Sequence, residues 1–161
     1  MLQVGADVLI ASRKRMADRL HNLTPEQWFT QPDGFANNVA WNVGHLALAQ
    51  QYLCYGLAKV PFAMPKEQMQ AMNPLYGGGT SPADWSANPD TDELLHWLVE
   101  MPQKLAADIK AGKFDNFVPP ESTEGRFLQP KSAMHIMLFN HYHEGLHAGT
   151  IGELLGYMKT K

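Results

Sequence analysis

Residues 143–151 read HEGLHAGTI, and this stretch is the strongest indication of the fold in the 161-residue chain. His143 and His147 lie four residues apart in a long amphipathic pattern, and a helix places both imidazoles on one face. Imidazoles that point into a core need polar partners, and one shared metal ion would satisfy both. The face that they share is otherwise apolar and carries Ile136, Phe139, Leu146, Ile151 and Leu154.

Four long helical patterns account for most of the chain, and no segment alternates in the way typical of a β-strand. Shorter helices are predicted at 25–29, where Thr24 and Pro25 form a helix start, and at about 66–72. The third long pattern contains Pro102, which we expect to kink or divide it. Periodicity and capping residues place the four long helices at about 4–21, 37 or 38–58, 90–110 and 131 or 132–158.

The connection over about 59–89 is long and rich in proline and glycine. Long connections in compact domains are often functional, and one of this length can reach from one end of a helical body to the other. It would let the second and third long helices run parallel. We therefore predict an all-α fold, a four-helix bundle with a long crossover connection, in a single domain spanning 1–161.

Two residues inside the helical patterns carry predictions about packing. Gly44 lowers the helical stability of its segment by about 1 kcal/mol relative to alanine, and a close approach of another element beside His45 would explain it. Arg13 is assigned, with its basic neighbours, to the polar side of the first long helix.

Composition and charge argue against several classes of protein. The formal net charge of -3 gives no general attraction to nucleic acid or to anionic membranes. No apolar run is long enough to cross a bilayer, and the first residues lack the pattern of a signal peptide. The one cysteine, Cys54, cannot form an intramolecular disulfide. We expect a cytoplasmic protein that binds neither nucleic acid nor membranes.

Helical phase selects three of the seven histidines as candidate ligands. His143 and His147 differ by about 40° around the helix axis, whereas His141 lies on the opposite side. His45 is central on the apolar face of the second long helix, so it can converge with that pair in the interior. Cys54 lies about 180° from His45 and should not join it. Three neutral imidazoles with one open position are the ligand set expected of a catalytic zinc or nickel-type site.

Two other interpretations of the stretch stay open. With Glu144 in second place, residues 143–147 match the His-Glu-x-x-His pattern of zinc metalloproteases, although no sheet accompanies it. The histidines could instead be hydrogen-bonded core residues of a structural bundle. Asn42 and Asn140 lie on the histidine faces and could orient a ligand or bridge helices, and Trp41 is placed to border a metal.

The residues together resemble a known family. Residues 44–47, GHLA, resemble the first ligand segment of the DinB/YfiT-like superfamily, and residues 143–151 resemble its signature His-x-x-x-His-x-Gly-Gln-Ile. Thr150 stands where that signature has glutamine. The resemblance implies a four-helix bundle in up-down-down-up order and homodimers. It also implies one divalent metal ion, nickel or zinc, bound by His45, His143 and His147.

The resemblance also implies a range of functions. The leading expectation is a metal-dependent enzyme on a small-molecule substrate, either a thiol S-transferase that uses a low-molecular-weight thiol or a hydrolase. A metal-activated thiol or water would be the nucleophile. Arg126 is a candidate for binding a substrate carboxylate, beside its simpler role as a solvated loop charge. The rivals are a non-catalytic metal-binding stress-response protein and a structural dimeric bundle.

Overall fold

The computed structural model describes residues 1–119 and 128–159, and within those ranges all regular structure is helical. The wholly α-helical fold predicted from the sequence is confirmed there. A π-helical segment, Gln51–Gly56, extends the third helix, and a single 3-10 turn, Pro82–Asp84, precedes the fifth. The α-helices are α1 (Leu2–Leu20), α2 (Pro25–Phe29), α3 (Val39–Gln50), α4 (Lys66–Tyr76), α5 (Thr91–Lys110) and α6 (Ala133–Lys159).

The helix starts follow from capping side chains in the sequence. Thr24 and Gln27 form a reciprocal capping box at α2, with Pro25 in the first helical position. Asn38 caps α3, because its Oδ1 accepts a hydrogen bond from the backbone N of Trp41 at 2.9 Å. Asp90 caps α5 by accepting from two backbone amides of the first turn. The predicted starts of these three helices are thus found where side-chain chemistry placed them.

Two elements differ from the prediction. α4 continues past Met72 and through Pro74 to Tyr76, which carries the chain to the site described below. α5 is not divided at Pro102, whose ring is buried in the helix. A proline removes one backbone hydrogen bond, and burial of its apolar ring favours the folded chain.

The long helices pack around an interior that consists of two apolar clusters. α1 contacts α5 and α6, and α3 contacts α4, α5 and α6. One cluster contains Leu20, Leu46 and Leu98, and the other contains Leu9 and Leu105. Along α1, along α3 with its extension and along α6, buried polar residues separate the members of the two clusters in sequence. These residues are Arg13, Gln50, Gln51, Asn140 and Glu144. No helix of the described residues has the length and apolar character needed to cross a membrane.

Candidate metal centre

Three histidines converge where α3 meets α6. α3 supplies His45, and α6 supplies His143 and His147 one turn apart. Each histidine contributes one ring nitrogen, and these three nitrogen atoms all lie within 4.8 Å of one another. The Nε2 atoms of His45 and His143 are 3.2 Å apart, and all three rings are half-buried. The structure therefore brings together the three histidines that helical phase selected from the sequence.

Hydrogen bonds to two of the rings determine where their protons lie. His45 Nδ1 is 2.7 Å from the carbonyl oxygen of Tyr76, and His147 Nδ1 is 2.7 Å from Oδ1 of Asn42. Both oxygens only accept hydrogen bonds, so both Nδ1 atoms donate. A neutral imidazole carries one N–H, and the Nε2 lone pairs of His45 and His147 are therefore free for a ligand.

The orientation of the Asn42 side-chain amide is fixed by the hydrogen bond that its nitrogen donates. Its Nδ2 donates to the carbonyl oxygen of Asn38 at 2.7 Å, which leaves Oδ1 directed at His147. Asn38 is itself held, because its Oδ1 caps α3 and its Nδ2 donates to the carbonyl oxygen of Phe29 at 3.2 Å. A chain of hydrogen bonds thus runs from the end of α2 through the start of α3 to the His147 ring.

Tyr76 and Trp41 hold the His45 ring from two sides. A Cβ atom at Gly44 would lie 2.5 Å from the Tyr76 ring, so only glycine lets α4 approach this closely. The Trp41 ring stacks on His45 with centroids 4.6 Å apart and an interplanar angle of 9°. Trp41 Nε1 in turn donates to Thr80 Oγ1 at 2.9 Å. The helical cost of Gly44 is therefore explained by the close contact predicted beside His45.

Burial lowers the pKa of all three imidazoles below the usual 6.5. The pKa of His143 falls to about 4, through burial first and then through the neighbouring His45. The pKa of His147 falls to about 3, through burial and then through both other histidines. For His45, burial outweighs the opposing hydrogen bond to Tyr76, and its pKa is lowered as well. Neutral imidazoles at neutral pH are the form that binds metal ions.

The donor set fits a divalent transition metal. The distance of 3.2 Å between His45 Nε2 and His143 Nε2 is close to the edge of a zinc coordination tetrahedron. That edge is about 3.3 Å when each zinc–nitrogen bond is about 2.0–2.1 Å. Two nitrogen lone pairs do not face each other this closely without a proton or a cation between them. The three histidines could therefore hold one divalent metal ion.

A comparison with protein families supports the same conclusion. The family model described as the DinB superfamily matches residues 9–151, which is most of the chain and includes all three histidines. The chain belongs to the DinB superfamily. No curated protein matches it.

In this DinB-superfamily chain, Glu144 is paired with Arg13 of α1. Its Oε1 and Oε2 accept hydrogen bonds from Arg13 Nη2 at 2.6 Å and Arg13 Nε at 3.1 Å. Arg13 Nη2 also donates to the carbonyl oxygen of Leu46 at 2.8 Å. With both oxygens engaged, Glu144 is not available as the general base that a zinc metalloprotease needs.

The prediction that Arg13 lies on the polar side of α1 is wrong. Its side chain is fully buried. The periodicity contains the signal, because Leu9, Arg13, Met16 and Leu20 follow helical spacing and all four are buried. The residue type, rather than its position, led to the polar assignment.

Several other predicted residues lie outside the histidine cluster. Leu146 was expected on the buried face but is 51% exposed. Thr150 donates to the carbonyl oxygen of Leu146 at 3.1 Å, so its hydroxyl bonds its own helix and not His147. Asn140 is fully buried, and neither of its side-chain polar atoms has a partner among the described residues.

Cys54, as expected from the sequence, is not a member of the group formed by His45, His143 and His147. Cys54 is buried, and burial raises the pKa of its thiol to about 12, so it behaves as a small apolar core residue. Arg126 lies outside the described residues.

A cavity of about 240 Å³ opens beside His45 and His143. Its remaining wall comes from α3, its π-helical extension, α4 and the turn that follows α4. The residues involved are Leu48, Ala49, Tyr52, Leu53, Asn73, Gly77 and Gly78. The sequence prediction did not identify this wall, since α4 and the turn after it are distant in sequence from both metal-ligand segments. A small molecule in this cavity would lie against two of the three candidate ligands.

Proposed function

We propose that this chain is a metal-dependent enzyme acting on a small molecule, either as a thiol S-transferase or as a hydrolase. The observation that carries the proposal is the cluster of three neutral imidazoles beside a cavity. A closed structural metal site has four protein ligands, whereas three ligands next to a cavity leave a position for substrate or water. Zinc and nickel both suit imidazole ligands.

The chain's own residues would perform three tasks. His45, His143 and His147 would hold the ion, which when bound would lower the pKa of a thiol or water and so supply a nucleophile at neutral pH. The Tyr76 carbonyl and the Asn42 amide would keep the rings of His45 and His147 oriented, with Nε2 toward the ion. The cavity would place the second reactant next to it.

A non-catalytic metal-binding protein is the second candidate function. It is favoured by one observation, namely that Glu144, which lies next to His143 in the chain, is bound by Arg13 and cannot act as a base. A hydrolase needs such a base more than a thiol transferase does, because a metal-bound thiol is deprotonated outright. We propose a cytoplasmic location for either function, which the lack of any disulfide partner for Cys54 supports.

We further propose that residues 1–161 form one domain, a four-helix bundle in up-down-down-up order with the connection after α3 as the crossover. Two hydrogen bonds support a parallel arrangement of α5 and of α3 with its π-helical extension. The residue that comes first in α3 and its extension pairs with the residue that comes first in α5. Gln50 Nε2 donates to the Met101 carbonyl oxygen at 2.9 Å, and Tyr55 OH donates to Asp108 Oδ2 at 3.0 Å. The first turns of α1 likewise approach the first turns of α6.

A homodimer is also proposed, through the outer surface of α1 and α6. Leu138, Tyr142 and Leu146 recur every fourth residue of α6 and are more than half exposed, as are Val4 and Val8 of α1. Apolar stripes of this kind are typical of interfaces. Sedimentation velocity should report a dimer, and Leu146→Glu should shift it to a monomer. An unchanged dimer in that variant would place the interface elsewhere.

The experiment that tests the function begins with metal content. Tag-free wild type, His143→Ala and the exposed-site control His96→Ala would be analysed by elemental mass spectrometry. We expect about one zinc or nickel per chain in wild type and His96→Ala, and little in His143→Ala. The metal-loaded protein would then be screened with thiols and electrophiles. Absence of metal in wild type after zinc or nickel addition would refute the enzyme proposal, and metal without turnover would favour the non-catalytic candidate.

A further inference from the structure

Asn140 of α6 is a buried amide without a hydrogen-bond partner among the described residues. Its side chain is fully buried, and neither Oδ1 nor Nδ2 is bonded there. Burial of an amide without hydrogen bonds is unfavourable, so buried polar groups in folded proteins nearly always bind one another or an ordered water. The position of Asn140 relative to other buried polar groups indicates which of these partners it has.

Three other side chains each have one buried atom that lacks a partner among the residues described. These atoms are Gln50 Oε1 in α3, Arg13 Nη1 in α1 and His143 Nδ1 in α6. The remaining polar atoms of two of them are engaged, since Gln50 Nε2 donates to the Met101 carbonyl oxygen and Arg13 binds Glu144 through Nε and Nη2. Gln50 and Arg13 are therefore held at one end and offer the other.

The pairing of α3 with α6 brings Gln50 and Asn140 to the same level of the interior. Arg13 joins the two helices, because it donates to the Leu46 carbonyl oxygen and to Glu144. The helices run antiparallel, since the contacts of the histidine cluster lie earlier in α3 and later in α6. Gln50 lies one turn after Leu46, and Asn140 lies one turn before Glu144, so both are one turn beyond the ion pair in the same direction.

The unpartnered atoms complement one another as donors and acceptors. Side chains of a helix lean toward its N-terminus, so the His143 ring reaches back toward the turn that holds Asn140. When His143 Nε2 binds a metal ion, its Nδ1 carries a proton and donates, as does Arg13 Nη1, whereas Asn140 Oδ1 and Gln50 Oε1 accept. None of these atoms is hydrogen-bonded to another. A water, which accepts two hydrogen bonds and donates two, can bridge polar groups at such separations.

We propose that Asn140 is a positioning residue for His143, and that a buried water bound by Asn140 and Gln50 joins the two. The water accepts the hydrogen bond of His143 Nδ1–H and donates to Asn140 Oδ1 and Gln50 Oε1. It gives His143 the counterpart of the acceptors that Tyr76 and Asn42 provide for the other two rings. This inference rests on the proposed function, because it takes Nε2 of His143 to bind the metal ion.

The stability of the metal-free chain gives a test that depends on the sign of the change. Asn140→Leu replaces the amide by an apolar group of similar size. If Asn140 binds a water that also serves its neighbours, their buried atoms lose a partner and the urea midpoint of unfolding falls. A higher midpoint would mean that the amide was unpaired, and it would overturn the proposal. Met137→Leu, at a buried position of the same helix, is the control and should shift the midpoint less.

A second test observes the histidine rings in the full chain loaded with cobalt(II). The ring N–H protons of cobalt-bound histidines give strongly shifted proton NMR signals that disappear in heavy water. We expect three such signals, and Asn140→Leu should move one of them and leave two in place, which a general loosening of the fold would not do. Zinc affinity should fall by at least about tenfold in Asn140→Leu. Asn140→Ser keeps an acceptor beside the water and should restore most of that affinity.

The outcomes separate this inference from the proposed function. A chain that binds no cobalt refutes the proposed function, and with it the positioning of a ligand by Asn140. A loaded chain whose three proton signals and zinc affinity are unchanged by Asn140→Leu overturns this inference alone. If Asn140→Leu does not fold, a crystal structure of the wild-type chain decides. A water within hydrogen-bond distance of Asn140 Oδ1 and His143 Nδ1 would support the proposal, and its absence would overturn it.

Discussion

His143 and Glu144 are adjacent in α6 but belong to two polar clusters of opposite design. Glu144 forms a bidentate ion pair with Arg13 in which the two charges balance, and Nη1 of Arg13 alone lacks a partner among the described residues. His143 belongs to a cluster of neutral rings whose Nε2 atoms face one another beside a cavity. The first cluster pairs its two charges with each other, whereas the Nε2 atoms of the second are placed where they could bind a ligand. The contrast separates a paired buried charge from a cluster of neutral rings that could hold a metal ion.

The largest effect is expected on folding stability when the Arg13–Glu144 ion pair is broken. Arg13→Ala leaves the Glu144 carboxylate buried without its partner, and removing one member of a buried pair costs about 3–5 kcal/mol. Urea unfolding of the metal-free protein, followed by circular dichroism, measures the free energy of unfolding. The exposed neighbour Arg15 provides the control, because Arg15→Ala should change stability by less than about 0.5 kcal/mol.

A double variant keeps this prediction testable if Arg13→Ala does not fold. Replacing both charges, by Arg13→Met with Glu144→Leu, should recover most of the lost stability, because no unpaired charge remains. Equal stability of Arg13→Ala and Arg15→Ala would show that the pair contributes little and would remove the contrast between the two clusters.

The next effect concerns the contact that supports the histidine cluster. Gly44→Ala places a methyl group 2.5 Å from the Tyr76 ring, so α4 must move. Overpacking of this kind costs about 1–3 kcal/mol, and the shift of Tyr76 should also weaken zinc binding through His45. Gly145→Ala is the control, since no atom lies within 4 Å of its Cβ position. That variant should gain about 0.5–1 kcal/mol from helix propensity. Similar stabilities for the two variants would contradict the close contact.

A smaller effect is expected from the amide that orients His147. Asn42→Ala removes the acceptor of the His147 Nδ1–H, and loss of such a partner lowers metal affinity by about 10–100-fold. Competition with a chromophoric zinc chelator measures this affinity in the folded protein. The exposed Asn116 gives the matched control, Asn116→Ala, with unchanged affinity. If both variants bind zinc equally, the hydrogen bond does not orient a ligand.

The sequence contained enough to predict the helices and to select the three histidines. Helix starts depended on local chemistry, such as the Asn38 and Asp90 caps, which a single sequence reveals. The histidines followed from rotation around a helix axis, which spacing alone determines. Their action as metal ligands stays a prediction that the metal analysis will test.

The rest depended on contacts that no local pattern encodes. The partner of His45 is a backbone carbonyl, that of Tyr76, and any residue type could supply it. The Arg13–Glu144 pair joins residues 131 positions apart, and it could be inferred only by asking what neutralises a buried acid next to His143. The cavity wall depends on how far α4 extends beyond Pro74, and a proline normally indicates that a helix ends.

A further predicted effect is the pH dependence of the metal-free protein. His143 and His147 have pKa values of about 4 and about 3 in the folded state, against 6.5 in an unfolded chain. Between these values the unfolded chain binds more protons, so stability rises with pH. The contribution of these two neutral imidazoles to the free energy of unfolding should be fully present above about pH 6.5 and should decline as the pH falls toward 4. Urea unfolding at pH 7 and pH 5, after chelation of metal, measures the decline.

A pair of histidine variants isolates the contribution of the cluster from other groups that titrate in this range. His147→Gln removes one ring with a lowered pKa, so its stability should decline less between pH 7 and pH 5 than that of wild type. His21→Gln, at an exposed position of the turn after α1, should match wild type. An identical decline in all three proteins would mean that the cluster imidazoles accept protons as readily in the folded chain as in the unfolded one. The histidine cluster would then lack the neutral, ligand-ready character that distinguishes it from the ion pair behind it.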